Sequence, residues 1–115
     1  MDKLWSIILI FVGEAVTISV EVLAAKYYAG RDLSFTEVFV KALPVFVLGS
    51  ALLISGYMLG LSRLKNIWIV SAVSITSILI IEPVVDYVLT GQLPTRGAFI
   101  GLIFGALGFG AALFL

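Results

Sequence analysis

Four runs of mostly apolar residues occupy nearly all of this 115-residue chain, and they dictate its fold. They extend from about Leu4 to Ala25, Val38 to Leu61, Ile67 to Leu89 and Ala98 to Leu115. A membrane span needs about 20 such residues to cross about 30 Å of hydrocarbon. Lipid offers no partner to a bare peptide group, so each run must close its own hydrogen bonds as a helix. A membrane β-barrel would need short strands of alternating polarity, which these runs are not. Composition agrees: 62% of residues are hydrophobic, 12% are charged, and mean hydropathy is +1.22. A soluble domain carries about 25% charge. The expected fold is an all-α membrane protein, one four-span domain over residues 1–115 in a prokaryotic inner (cell) membrane. The first run is not expected to be a signal peptide. It is too long, its flank Asp2–Lys3 is barely basic, and Glu14 sits at its centre.

Several function classes fall away at once. The chain has no His and no Cys, which removes disulfides, thiolate nucleophiles, histidine bases and the usual soft metal sites. No nucleophile–base constellation is visible, so no enzyme, cofactor or metal is expected. Seven basic residues balance seven acidic ones without a basic tract, which argues against nucleic acid. The expected partners are the bilayer, a small solute and a second copy of the chain.

Short polar connectors separate the spans. The first carries Lys26, Gly30, Arg31, Asp32, Ser34 and Glu37, the second runs from Ser62 to Asn66, and the third from Thr90 to Gly97. Four spans put both termini and the middle connector on one side, with Lys3, Arg63 and Lys65. The other side holds Lys26, Arg31, Lys41 and Arg96. This balance gives the positive-inside rule nothing to act on. Either another feature fixes one orientation, or the chain inserts both ways up and pairs antiparallel.

Carboxylates inside spans are costly and usually functional. Glu14, Thr17 and Glu21 share one face of the first helix. Ser71, Ser74, Glu82 and Asp86 fall within about 120° on the third. These seven are the candidate substrate- and proton-binding residues. The plainer readings are a hydrogen-bonded acid fixing helix packing at Glu14 and an interfacial acid at Glu21. Pro83 follows Glu82 and frees the carbonyl of Leu79, which a hydroxyl such as that of Ser77 could help satisfy. The acids form a ladder from mid-bilayer, at Glu14, toward the side holding Lys26 and Arg96.

The fourth run has no ionisable residue beyond its start but many glycines. Gly97, Gly101 and Gly105 are spaced by four, and Gly108 and Gly110 follow. Small residues at this spacing let helices approach closely, so this face is the candidate dimer interface. Gly49, Gly56 and Gly60 make a weaker set in the second run. Trp5, Tyr27, Tyr28 and Trp68 lie near span ends, as interfacial anchors do.

Glu82-Pro83, Gly91-Gln92-Leu93-Pro94-Thr95 and the glycine-rich last helix resemble the repeat unit of the drug/metabolite transporter superfamily. The four-span length, Gly91-Gln92, the pair Gly101 and Gly108 seven apart, and Lys26-Tyr27 resemble its smallest branch, the small multidrug resistance transporters. The resemblance implies a dimeric four-helix bundle. It also implies proton-coupled antiport of a small cationic or polar solute through a membrane-centred carboxylate, here Glu14. An ungapped count from Lys26 places the branch's glutamate at Ile18, one turn from Glu14. The branch's Trp and Tyr of helix three fall at Ser74 and Ser71, so its aromatic box is missing. A groove of hydroxyls and acids also suits a polar lipid head group. The rival expectation is therefore a lipid-handling, flippase-type or accessory subunit.

Overall fold

The computed structural model describes residues 2–30 and 34–115, and among them all regular structure is helical. Helix α1 spans Asp2–Gly30, α2 Phe35–Leu64, α3 Ile67–Thr90 and α4 Arg96–Phe114. Arg31 and Asp32 lie outside the described residues, and with Arg31 goes part of the charge balance across the membrane. All four helices are long and apolar enough to cross a bilayer, so this is an integral, multi-pass membrane protein by length and composition.

α2 and α4 begin ahead of their apolar runs because polar side chains cap them. Ser34 Oγ accepts from the Glu37 N–H at 3.2 Å, so α2 begins at Phe35 rather than near Val38. Glu37 is thereby drawn into the first turn, where Lys41 Nζ donates to its Oε1 at 3.3 Å. The Thr95 hydroxyl accepts from the Ala98 N–H, which starts α4 at Arg96. Lys65 adopts φ 59°, and its N–H closes onto the Leu61 carbonyl at 3.0 Å. Asn66 then caps α3 through the Trp68 N–H, so the α2–α3 connection needs only two residues. Gly91 ends α3 at φ 73°, where a side chain would be strained. Neither Pro44 nor Pro83 breaks its helix.

Packing is uneven. α1 is the hub, set against both α2 and α3, which also touch each other. α4 reaches only α3. The result is a three-helix unit with an outlying arm, 47 × 34 × 18 Å. Glycines hold α1 and α2 close. An added Cβ at Gly56 would lie 2.7 Å from Ile10 Cγ1, and one at Gly49 would lie 2.6 Å from Thr17 Cγ2. Gly13 of α1 faces Leu53 in the same way. Gly60 lies against Val70 of α3. The second run's glycines therefore form the packing seam of the monomer. Ser6, Ile10 and Val70 are fully buried beside it, whereas no residue of α4 is buried. Most other large apolar side chains face outward, as lipid permits.

The two glycine sets should respond oppositely to a methyl group. Gly56→Ala or Gly49→Ala overpacks the seam and should cost about 1–3 kcal/mol of stability. Gly110→Ala meets open space and should stay within about 0.5 kcal/mol. Unfolding in lipid bicelles measures both.

Candidate functional site

The polar residues of α1 and α3 do not form one continuous stripe. They divide between a sealed seam and an open cleft.

The seam centres on Glu14, which is 8% exposed in the α1–α3 contact. Ser74 Oγ, itself buried, donates to Glu14 Oε1 at 2.6 Å. A carboxylate left unpaired in apolar surroundings is costly, and this bond across the two helices relieves that cost. A serine hydroxyl can donate to an ionised acid or accept from a protonated one. Either charge state of Glu14 thus keeps a partner. Thr17 is also buried, but its hydroxyl donates backward to the Gly13 and Glu14 carbonyls at 3.0 and 3.1 Å. Its methyl faces Gly49 of α2. Thr17 therefore serves the α1–α2 seam, away from the Glu14 carboxyl. Ile18, one turn on, is a core residue.

The cleft lies near the C-terminal ends of α1 and α3 and the N-terminal end of α4. It encloses about 970 Å³. Its polar lining comes from Glu82, Asp86, Lys26, Thr90 and Gln92, and its apolar lining includes Val22, Pro83 and Leu102. Glu82 and Asp86 are half-buried there. Glu21 and Asp86 both lie within electrostatic reach of Glu82. Lys26 Nζ turns to the backbone and donates to the Leu89 carbonyl at 2.7 Å. Leu89 belongs to the last turn of α3, whose carbonyls lack helical partners, and an ammonium there also suits the helix dipole. Near the cleft floor the Thr90 hydroxyl donates to the Asp86 carbonyl and accepts from the Gln92 N–H.

The structure thus joins Glu14 to Ser74 and Glu82 to Asp86, and it keeps the two pairs apart. Glu21 is exposed and, like Ser71, lies outside the cleft lining. Ser77 donates to the Val73 carbonyl at 2.8 Å, so its hydroxyl is not the one that serves Leu79. Two features escape a linear reading: the Lys26–Leu89 contact and the cleft itself. Four helices normally fill their own interior with side chains. The outlying position of α4 opens a cavity within a single chain. Lys26 at the end of a span was the sequence signal for the contact, and Glu82, Pro83 and Asp86 were the signal for the cleft.

With this geometry in hand, comparison with protein-family models, curated proteins and solved structures finds no match to the chain.

If the seam depends on the Ser74 hydroxyl, Ser74→Ala leaves Glu14 without its donor. It should then cost about 1–3 kcal/mol of stability. Ser71→Ala, outside the seam, should cost much less, as comparative unfolding in bicelles would reveal.

Proposed function

We propose that this protein is a small transporter of the drug/metabolite transporter type, working as a dimer in a prokaryotic cell membrane. In this reading it moves a small cationic or polar solute in exchange for protons. The observation that carries the reading is the pair of carboxylates, Glu82 and Asp86, lining a cleft among membrane-spanning helices. Intramembrane acids that face a cavity mark ion and substrate paths. A cleft lined by two acids favours a positively charged ligand.

The two acidic positions divide the work. Glu82 and Asp86 hold the cation. Glu14 exchanges the proton, because the Ser74 hydroxyl can accompany either form of the acid. Proton exchange at Glu14 thereby acts on the α1–α3 contact, and α3 also carries Glu82. Glu21, exposed on α1, offers a route outward.

The dimer rests on α4. Gly97, Gly101 and Gly108 have open space where a Cβ would be, while Gly105 meets Leu79. Within the monomer Gly101 lines the cleft and Gly105 packs on α3, so the stripe is bare at Gly97 and Gly108, and there a second copy supplies the close helix contact for which small residues are suited. The balance of basic residues across the connectors suits an antiparallel pair.

A second reading has its own support. Beside its acids the cleft is lined by Val22, Leu93 and Leu102 at the helix ends, an amphipathic surface that fits a lipid head group with its first methylenes. The chain would then be a flippase-type or accessory subunit.

A panel of organic cations and amine-bearing lipids in proteoliposomes separates the two. Solute-driven proton movement in the wild type should be lost in Glu14→Gln, which keeps the volume and removes the titration. Glu82→Gln should lower cation affinity about tenfold, the equivalent of 1.4 kcal/mol. Lipid translocation without solute-driven proton movement would favour the second reading. Retained coupling in Glu14→Gln would remove Glu14 from the proton path. For the dimer, Gly101→Leu or Gly108→Leu should shift the detergent-solubilised protein toward monomer, and unchanged size would exclude α4 as the interface.

A further inference from the structure

The C-terminal third of the chain is held by little for a packed protein. Every buried residue of α3 precedes Pro83: they are Val70, Ala72, Ser74, Ser77 and Ile81. Beyond Pro83, α3 presents Val84, Tyr87 and Val88 outward. The five-residue connector after Thr90 leads to α4, which buries nothing and touches only α3.

Pro83 also lacks the N–H that would close the helical bond to Leu79. The α3 ladder is thus weakened just beyond Ile81, its last buried residue. Prolines are common sites of bending in long helices. At the same level the Leu79 side chain rests 3.3 Å from the Cβ position of Gly105 on α4. The missing backbone bond and the α3–α4 contact therefore share one depth. A turn of the segment from Val84 through α4 about this point would part Gly105 from Leu79, while the Glu14–Ser74 seam lies earlier on α3.

One polar contact crosses the cleft and opposes that turn. Lys26 Nζ, from the end of α1, donates to the Leu89 carbonyl, six residues beyond the proline. Both residues belong to the exposed ends of their helices. Loss of this bond leaves no buried group behind, since water can satisfy the ammonium and the carbonyl alike. A contact of that kind is suited to repeated making and breaking. The cleft also offers the ammonium alternative acceptors, the carboxylates of Asp86 and Glu82.

We propose that Lys26 is a latch and Pro83 a hinge. The ammonium on the Leu89 carbonyl holds the post-proline segment of α3, and with it α4, against the end of α1. Release lets α4 swing and changes the width of the cleft. Lys26 is a positioning residue in this device, and the device does not depend on the identity of the solute.

The chain has no cysteine, so paired spin labels can be placed without background. One pair goes on the exposed positions Tyr27 of α1 and Phe99 of α4, as Tyr27→Cys with Phe99→Cys. A reference pair goes on α1 and α2, as Val12→Cys with Val47→Cys. Lys26→Met keeps most of the stem and removes the donor. It should broaden the α1–α4 distance distribution and shift it, leaving the α1–α2 distribution unchanged. Lys26→Arg retains a cationic donor and should restore the wild-type distribution. Adding Pro83→Ala to Lys26→Met returns the missing backbone donor and should narrow the distribution again. An α1–α4 distribution unchanged in Lys26→Met overturns the latch. A change at both pairs also overturns it, because Lys26 would then support the whole unit. Broadening that persists with Pro83→Ala overturns the hinge.

Discussion

A carboxylate inside an apolar helix contact must find a partner, and that requirement organises this molecule. Glu14 meets it through the Ser74 hydroxyl at 2.6 Å. The bond sets the rotation of α1 against α3. The opposite side of α1 is fixed by steric means, with Gly49 and Gly56 of α2 admitting Thr17 and Ile10 to near-backbone distance. A polar tie on one side and a glycine seam on the other leave α1 little freedom. It is the hub on which both neighbours depend, and replacing either kind of contact by the other would alter where α3 carries its acids.

The unequal packing of the fourth helix follows from its sequence. α4 has no ionisable residue beyond Arg96 at its first position, so it has no polar group that must be turned inward. It stays at the edge, and the space it does not fill becomes the cleft containing Glu82 and Asp86. Lipid, which solvates apolar side chains as well as protein does, removes the penalty a soluble protein would incur for such an arm.

Much of this could be read from the residues in order. The four helices follow from four apolar runs and from the absence of water in the bilayer. Their ends moved outward by several residues because capping by Ser34 and Thr95 depends on local hydrogen bonds rather than on hydropathy. Helical periodicity placed Glu14, Thr17 and Glu21 on one face, and the face was too coarse a description. Glu14 turns to α3, the methyl of Thr17 turns to α2, and Glu21 is exposed. An arc about 60° wide on one helix can touch two neighbours, and periodicity does not say which. The weaker glycine set proved to be the packing seam because its partner residues, Ile10 and Thr17, lie on another helix. The Lys26–Leu89 contact joins residues far apart in sequence through a backbone atom, which no residue pattern encodes.

Two acidic environments, one sealed at Glu14 and one open at Glu82 and Asp86, divide this molecule. Carboxyl modification of the wild-type protein in lipid nanodiscs tests that division most directly. A water-soluble carbodiimide with an amine nucleophile is applied, and the modified residues are mapped by mass spectrometry over time. Glu82 and Asp86 should react, because they line the open cleft, while Glu14 should be spared behind Ser74. Modification of Glu14 as fast as that of Glu82 would contradict the sealed seam, and with it the proposed division between a proton site and a cation site.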